Sequence, residues 1–79
     1  MKILLTGLQR DFDPDALRDR MTKFGDVISV QAVRDGDPEH PWALVDMAMD
    51  VATATEVARR IDGIYYIDRF IHARVMLHD

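Results

Sequence analysis

The sequence contains no cysteine, which excludes disulfide bonds and thiolate metal sites. It also has no apolar run that approaches the ~20 residues of a membrane-spanning helix. The N-terminus lacks the pattern of a secretory signal, because the polar residues Thr6, Gln9 and Arg10 interrupt its apolar stretch. We therefore expect a cytoplasmic protein with no membrane partner.

An excess of positive charge is absent as well. The chain carries 14 acidic and 10 basic residues, for a net charge of −4. Proteins that bind nucleic acids gain much of their affinity by neutralising phosphates with lysine and arginine, so this balance argues against tight, non-specific binding. Catalytic patterns are missing too, since the sequence has no thiol, no glycine-rich phosphate loop and no recognisable Ser-His-Asp spacing. We expect neither an enzyme nor a metal or cofactor site.

The length and composition of the chain predict one small globular domain over residues 1–79. The 79 residues are 48% hydrophobic and 30% charged, which suits a single compact core. Four apolar stretches bounded by turn residues predict β-strands. They lie at residues 2–8, 26–35, 42–49 and 65–77, and the last stretch contains a turn near Asp68 before its strand.

Two stretches with helical signals separate these strands. Asp13 is suited to cap the first helix, Pro14 to begin it and Gly25 to end it. Asp50 caps the second helix over residues 51–61, and Gly63 ends it. Each helix has one apolar face, made of Leu17, Met21 and Phe24 in the first and of Ala54, Val57, Ala58 and Ile61 in the second. The order β-α-β-β-α-β predicts an α+β, ferredoxin-like sandwich, with two helices on one face of a four-stranded antiparallel sheet.

The element order and several short motifs resemble the RNA recognition motif family across nearly the whole chain. The segment KFGDVISVQAVRD resembles that family's helix end, glycine and second strand, and IDG resembles the stop after its second helix. ILLTGL and HPWALVDM lie where its two signature motifs belong, the longer of which reads K/R-G-F/Y-G/A-F-V-x-F/Y. The resemblance implies a sheet whose open face binds RNA.

The resemblance also places the family's binding positions on this sequence. The basic first position of the longer motif is His40, and its first stacking aromatic is Trp42. Leu44 and Leu4 replace the other two stacking aromatics. Because side chains alternate along a strand, Trp42 and Leu44 point outward if Ala43 points to the helices. The predicted RNA-contacting residues are Trp42, Leu4, Leu44, His40, His72 and Arg74.

The sequence thus predicts weak binding of single-stranded RNA, with Trp42 as the stacking platform. A plainer interpretation makes Trp42 an aromatic residue that only covers Leu4 and Leu44. The alternative function is a protein-interaction module, because outward Leu4, Leu44, Val33 and Met76 form an apolar patch of the kind found at interfaces. Such a patch predicts a homodimer or another protein partner on the sheet face.

Overall fold

The computed structural model describes residues 1–34, 36, 39–66 and 69–77, and its elements follow the predicted order with one addition. The strands and helices of the sandwich are β1 (Lys2–Thr6), α1 (Pro14–Met21), β2 (Val27–Val33), β3 (Trp42–Met47), α2 (Val51–Ile61) and β6 (His72–Met76). A short hairpin of β4 (Tyr65–Tyr66) and β5 (Arg69–Phe70) precedes the last strand. Asp35, Asp37 and Pro38 of the β2–β3 loop, and the turn predicted near Asp68, lie outside the described residues.

The four long strands form one antiparallel sheet, as the sequence predicts, and their order in the sheet is β2-β3-β1-β6. Burial alternates along β1 and β3, so one face of the sheet meets the helices. The core joins Ile3, Leu5, Ala43, Val45 and Met47 of the sheet to Leu17 and Met21 of α1 and to Ala54, Val57, Ala58 and Ile61 of α2. No helix in the described ranges is long and apolar enough to cross a membrane.

The first helix begins at Pro14 as predicted but ends at Met21, before the predicted end at Gly25. The chain tightens into a turn, in which the backbone N–H of Phe24 donates to the carbonyl of Met21 at 3.0 Å. Such i→i+3 bonds are typical of the last turn of a helix. Phe24 nevertheless packs against the core, so its predicted place on the apolar face holds although the helix is shorter.

The hairpin β4–β5 is the element that the sequence did not predict. Ile71 lies between β5 and β6 and continues the pairing of the hairpin. Its backbone N–H donates to the carbonyl of Ile64 at 2.9 Å, and its carbonyl accepts from the N–H of Gly63 at 2.7 Å. The hairpin also packs closely on the end of β1. A Cβ atom added at Gly7 would overlap the carbonyl oxygen of Phe70.

Candidate nucleic-acid interface

The strand register arranges the uncovered face of the sheet, here called the open face, as three rows of four side chains. Residues directly opposite each other on antiparallel strands point to the same side of the sheet. Trp42 and Thr6 extend the pairing of Ala43 with Leu5 by one position. The rows are Val33, Trp42, Thr6 and His72; Gln31, Leu44, Leu4 and Arg74; and Ser29, Asp46, Lys2 and Met76.

Trp42 projects from this face into solvent. Its side chain is 50% exposed, whereas Ala43 and Val45 on the same strand are fully buried. The outward orientation predicted from strand alternation is therefore confirmed, and Trp42 is not a core residue. Pro41 is buried immediately before it, which anchors the start of β3. An exposed indole plane in a sheet is suited to stack on an unpaired base.

Two leucines form the centre of the open face. Leu4 on β1 lies directly opposite Leu44 on β3, and both side chains are partly buried. They are the residues that the family resemblance predicts at the other two stacking positions. Their aliphatic side chains provide apolar contact but no aromatic plane. Among the twelve residues of the open face Trp42 is the single phenylalanine, tyrosine or tryptophan, and His72 adds an imidazole ring at the β6 edge.

His72 and Arg74 lie at the β6 edge of the open face. His72 pairs with Thr6 and Arg74 pairs with Leu4 across β1, and both side chains are exposed. His72 Nδ1 lies 3.2 Å from Asp62 Oδ1, which also accepts a hydrogen bond from the backbone N–H of Ala73 at 3.1 Å.

Asp62 was not identified as a site residue from the sequence. It follows the last residue of α2, and the motif IDG was interpreted only as the end of that helix. Its hydrogen bonds reach a residue eleven positions away, a tertiary contact that no local pattern encodes. Asp62 and Arg74 line a cavity of about 450 Å³ at the edge of the sheet.

His40 lies apart from the other predicted site residues. It is exposed in the β2–β3 loop, two positions before Trp42, rather than on a strand of the open face. Arg34, which the sequence also did not single out, flanks the same end of the sheet. Its guanidinium lies 4.9 Å from the centroid of the Phe12 ring and donates to the Phe12 carbonyl at 3.1 Å. Phe12 belongs to the core on the helix side of the sheet, so Arg34 packs on that side, and His40 is the predicted site residue near the Trp42 end of the open face.

The opposite end of the face is polar. The carboxylate of Asp46 lies 3.2 Å from the α-amino group of Met1, and Lys2 is opposite Asp46 on β1. Among the residues that the structure describes, no group of three histidine, aspartate or glutamate side chains is arranged to hold a metal ion. The arrangement can therefore offer an aromatic plane, an apolar centre and polar groups at two edges to a flat ligand.

The architecture and this face define a ferredoxin-like βαββαβ domain that presents one side of its sheet. The RNA recognition motif profile matches residues 3–72, and the chain belongs to that family. Members of the family use aromatic residues on a four-stranded sheet to stack bases of single-stranded RNA. No curated protein sequence gives a significant match.

Three solved structures with the same fold are similar to this chain over most of their length. The RNA recognition motif (RRM) of Rna15 with bound RNA (GU) has a TM-score of 0.78 at 16% identity, with 98% of this chain and 83% of that chain covered. The third RRM of Pes4 has a TM-score of 0.83 at 13% identity, with 99% and 93% covered. The RNA-binding protein PG1 has a TM-score of 0.82 at 17% identity, with 100% and 96% covered. At these identities the similarity establishes the fold.

Proposed function

We propose that this domain binds single-stranded RNA weakly on its open face, with Trp42 stacked on one base. The observation that carries the proposal is the half-exposed indole of Trp42 at the position where the family places a stacking aromatic. Family membership supports RNA as the ligand. The Rna15 domain, which shares the fold, was solved with RNA.

The side chains around Trp42 supply the remaining contacts. Leu4 and Leu44 provide an apolar surface against which a second base or a ribose packs. His72 and Arg74 at one edge, and His40 near the other, provide polar contacts to base, sugar or phosphate. The RNA must be single-stranded, because only an unpaired base can leave its own stack and lie on an indole.

The affinity follows from the number of aromatic stacks. One stacked base contributes roughly 1–3 kcal/mol, and this face keeps an aromatic residue at one of the family's three stacking positions. A dissociation constant of 1 mM already corresponds to about 4 kcal/mol. We therefore expect dissociation constants on the order of tens of micromolar or weaker at physiological salt. The salt dependence is shallow, because few cationic side chains are available to displace counterions.

Intrinsic fluorescence tests this proposal directly, because Trp42 is the single tryptophan in the chain. Titration with a single-stranded RNA oligonucleotide should quench the emission, with a midpoint on the order of tens of micromolar RNA or higher. The same oligonucleotide annealed to its complement is the matched control and should quench much less, since its bases are already stacked. Emission that does not change with millimolar single-stranded RNA would contradict the proposal, as would nanomolar affinity for generic sequences.

A second candidate function is a protein-interaction module that self-associates through the same face. The observation that favours it is the aliphatic centre, where Leu4 lies opposite Leu44 in place of two aromatics. An aliphatic centre suits a protein surface better than a base. This function predicts that association depends on Leu44 and that RNA leaves the fluorescence of Trp42 unchanged.

A further inference from the structure

The cavity at the β6 edge combines groups of opposite hydrogen-bonding character. It has a volume of about 450 Å³ and is lined by Leu4, Thr6, Asp62, His72, Ala73 and Arg74. This volume lies within the range of small-molecule binding sites. In the first row of the open face Thr6 separates His72 from Trp42, so the two are about 10 Å apart at the usual strand spacing. A strand of RNA that crosses the sheet therefore passes both Trp42 and the cavity.

One wall of the cavity is an anchored acceptor. Asp62 Oδ1 accepts from the backbone N–H of Ala73 at 3.1 Å and lies 3.2 Å from His72 Nδ1. A carboxylate has about four acceptor positions, so these contacts occupy roughly half of them. The second oxygen, Oδ2, has no hydrogen-bond partner within residues 1–34, 36, 39–66 and 69–77. Asp62 thus holds a fixed oxygen toward a ligand that donates.

The cavity is also lined by a donor, Arg74. The exposed guanidinium of Arg74 makes no hydrogen bond or ion pair with any other residue in the described part of the chain. A guanidinium has five N–H donors and no acceptor. A phosphate would suit Arg74 alone, but the carboxylate of Asp62 in the same cavity repels it. The pair instead suits a neutral ligand that donates on one side and accepts on the other, as the edges of a nucleobase do.

We infer that this cavity receives the base next to the one stacked on Trp42 and selects guanine there, an inference that rests on the proposed RNA-binding function. Guanine has two adjacent donors, N1–H and the N2 amino group, for Asp62, and two acceptors, O6 and N7, for Arg74. Bidentate pairing of arginine with O6 and N7 is the commonest base-specific contact of proteins in the major groove of DNA, and the same two atoms are present in guanine of RNA. Adenine, cytosine and uracil each offer the carboxylate only one donor group on their pairing edge. Leu4 supplies the apolar wall for the ring.

The test compares two oligonucleotides on two forms of the protein. The first is an oligouridine with one guanosine, and the second carries inosine at that position, which removes only the N2 amino group. The wild-type protein should bind the guanosine oligonucleotide at least about fivefold more tightly than the inosine oligonucleotide, as measured by the fluorescence of Trp42. Asp62→Asn should abolish this difference in affinity. The amide oxygen of asparagine can still accept from the N–H of Ala73, but an NH₂ group replaces Oδ2 and cannot accept from the donors of guanine.

Two controls distinguish a direct contact of Asp62 with the base from a general effect of charge or of stability. Asp19→Asn removes the same charge on α1, away from the sheet, and should preserve the preference for guanosine. A thermal melt of Asp62→Asn should match that of the wild-type protein, and Asp62→Ala provides a second variant without an amide.

The outcomes are distinct for the two proposals. Equal affinity for guanosine and inosine in the wild-type protein, with quenching retained, would overturn the guanine site and leave RNA binding intact. A preference for guanosine that survives in both Asp62 variants would overturn it as well. If neither oligonucleotide quenches the emission of Trp42, the proposed function itself fails.

Discussion

At the scale of single residues, Trp42 contributes to the proposed function through its exposure. The indole lies outside the core, so Trp42→Ala should leave the melting temperature nearly unchanged and remove roughly 1–3 kcal/mol of RNA binding energy. A buried tryptophan would instead cost about 3–5 kcal/mol of stability when truncated. Thermal melting and calorimetric titration of the variant measure the two quantities separately.

Val45→Ala provides the control on the same strand. Val45 is fully buried, so its truncation should lower the melting temperature and leave the RNA contacts in place. If Trp42→Ala melts as far below the wild-type protein as a core truncation does, the assignment of Trp42 to the open face is wrong.

Gly7 shows how a single residue fixes the end of the sheet. Its φ of +82° is strained for other residues, and a Cβ atom there would overlap the carbonyl oxygen of Phe70. Gly63 has a similar φ of +84° with nothing within 4 Å of the added atom. Gly63→Ala should therefore lower the free energy of unfolding by the backbone strain alone, about 1–2 kcal/mol. Gly7→Ala should lower it by clearly more, because the overlap with Phe70 is added to the strain. Urea unfolding compares the two, and equal losses would contradict the close packing of the hairpin on β1.

At the scale of secondary-structure elements, the local signals in the sequence predict the order and face of each long strand and helix. Alternation along WALVDM and the capping residues before PDALRDRM and VATATEVARRI are encoded within a few positions. The hairpin β4–β5 is different, because its two-residue strands are too short to show a period. Its pairing is completed by backbone hydrogen bonds of Ile71 with Gly63 and Ile64, which involve no side-chain pattern that the sequence could show.

The candidate site likewise contains some residues that local sequence patterns predict and one, Asp62, that they do not. Strand alternation suffices to place Trp42, Leu44 and Leu4 on the open face, since side-chain direction has a period of two. The role of Asp62 could not be predicted, because its carboxylate belongs to the site only through its contacts with His72 and Ala73 on another element. Whether these residues contact RNA stays a prediction.

The cap of α2 makes a pH-dependent contribution to stability. The backbone N–H of Thr53 donates to Asp50 Oδ1 at 2.8 Å, and this bond, with one from the Thr53 hydroxyl, lowers the pKa of Asp50 below its ordinary value. A carboxylate whose pKa is lower in the folded state stabilises that state above its unfolded pKa, about 4. The contribution is lost as the pH falls through the folded pKa.

Asp50→Asn tests this contribution, because asparagine keeps an acceptor for Thr53 but carries no charge. The wild-type protein should be more stable than Asp50→Asn at pH 7, and the difference should be smaller at pH 2. Urea unfolding at both pH values provides the comparison. A difference that is the same at both values would show that the charge of Asp50 does not stabilise the helix.

At the scale of the whole molecule, one sheet face carries both candidate functions. Its aliphatic centre predicts self-association at high concentration, and Leu44→Lys should suppress it without unfolding, because an outward side chain leaves no cavity in the core. Val51→Lys is the matched control, since it makes the same replacement at an exposed apolar position on α2. Sedimentation velocity over a range of concentrations reports the result. A wild-type protein that stays monomeric at millimolar concentration would remove the interaction function.

The most direct test of RNA binding on the open face is a titration of isotope-labelled protein with single-stranded RNA, followed by backbone amide chemical shifts. We predict that the largest shifts fall on β1, β3 and β6, around Trp42, Leu4 and Arg74, and that α1 and α2 change little. These shifts should be in fast exchange, as weak binding requires. Shifts concentrated on the helices, or none at millimolar RNA, would contradict RNA binding on the open face.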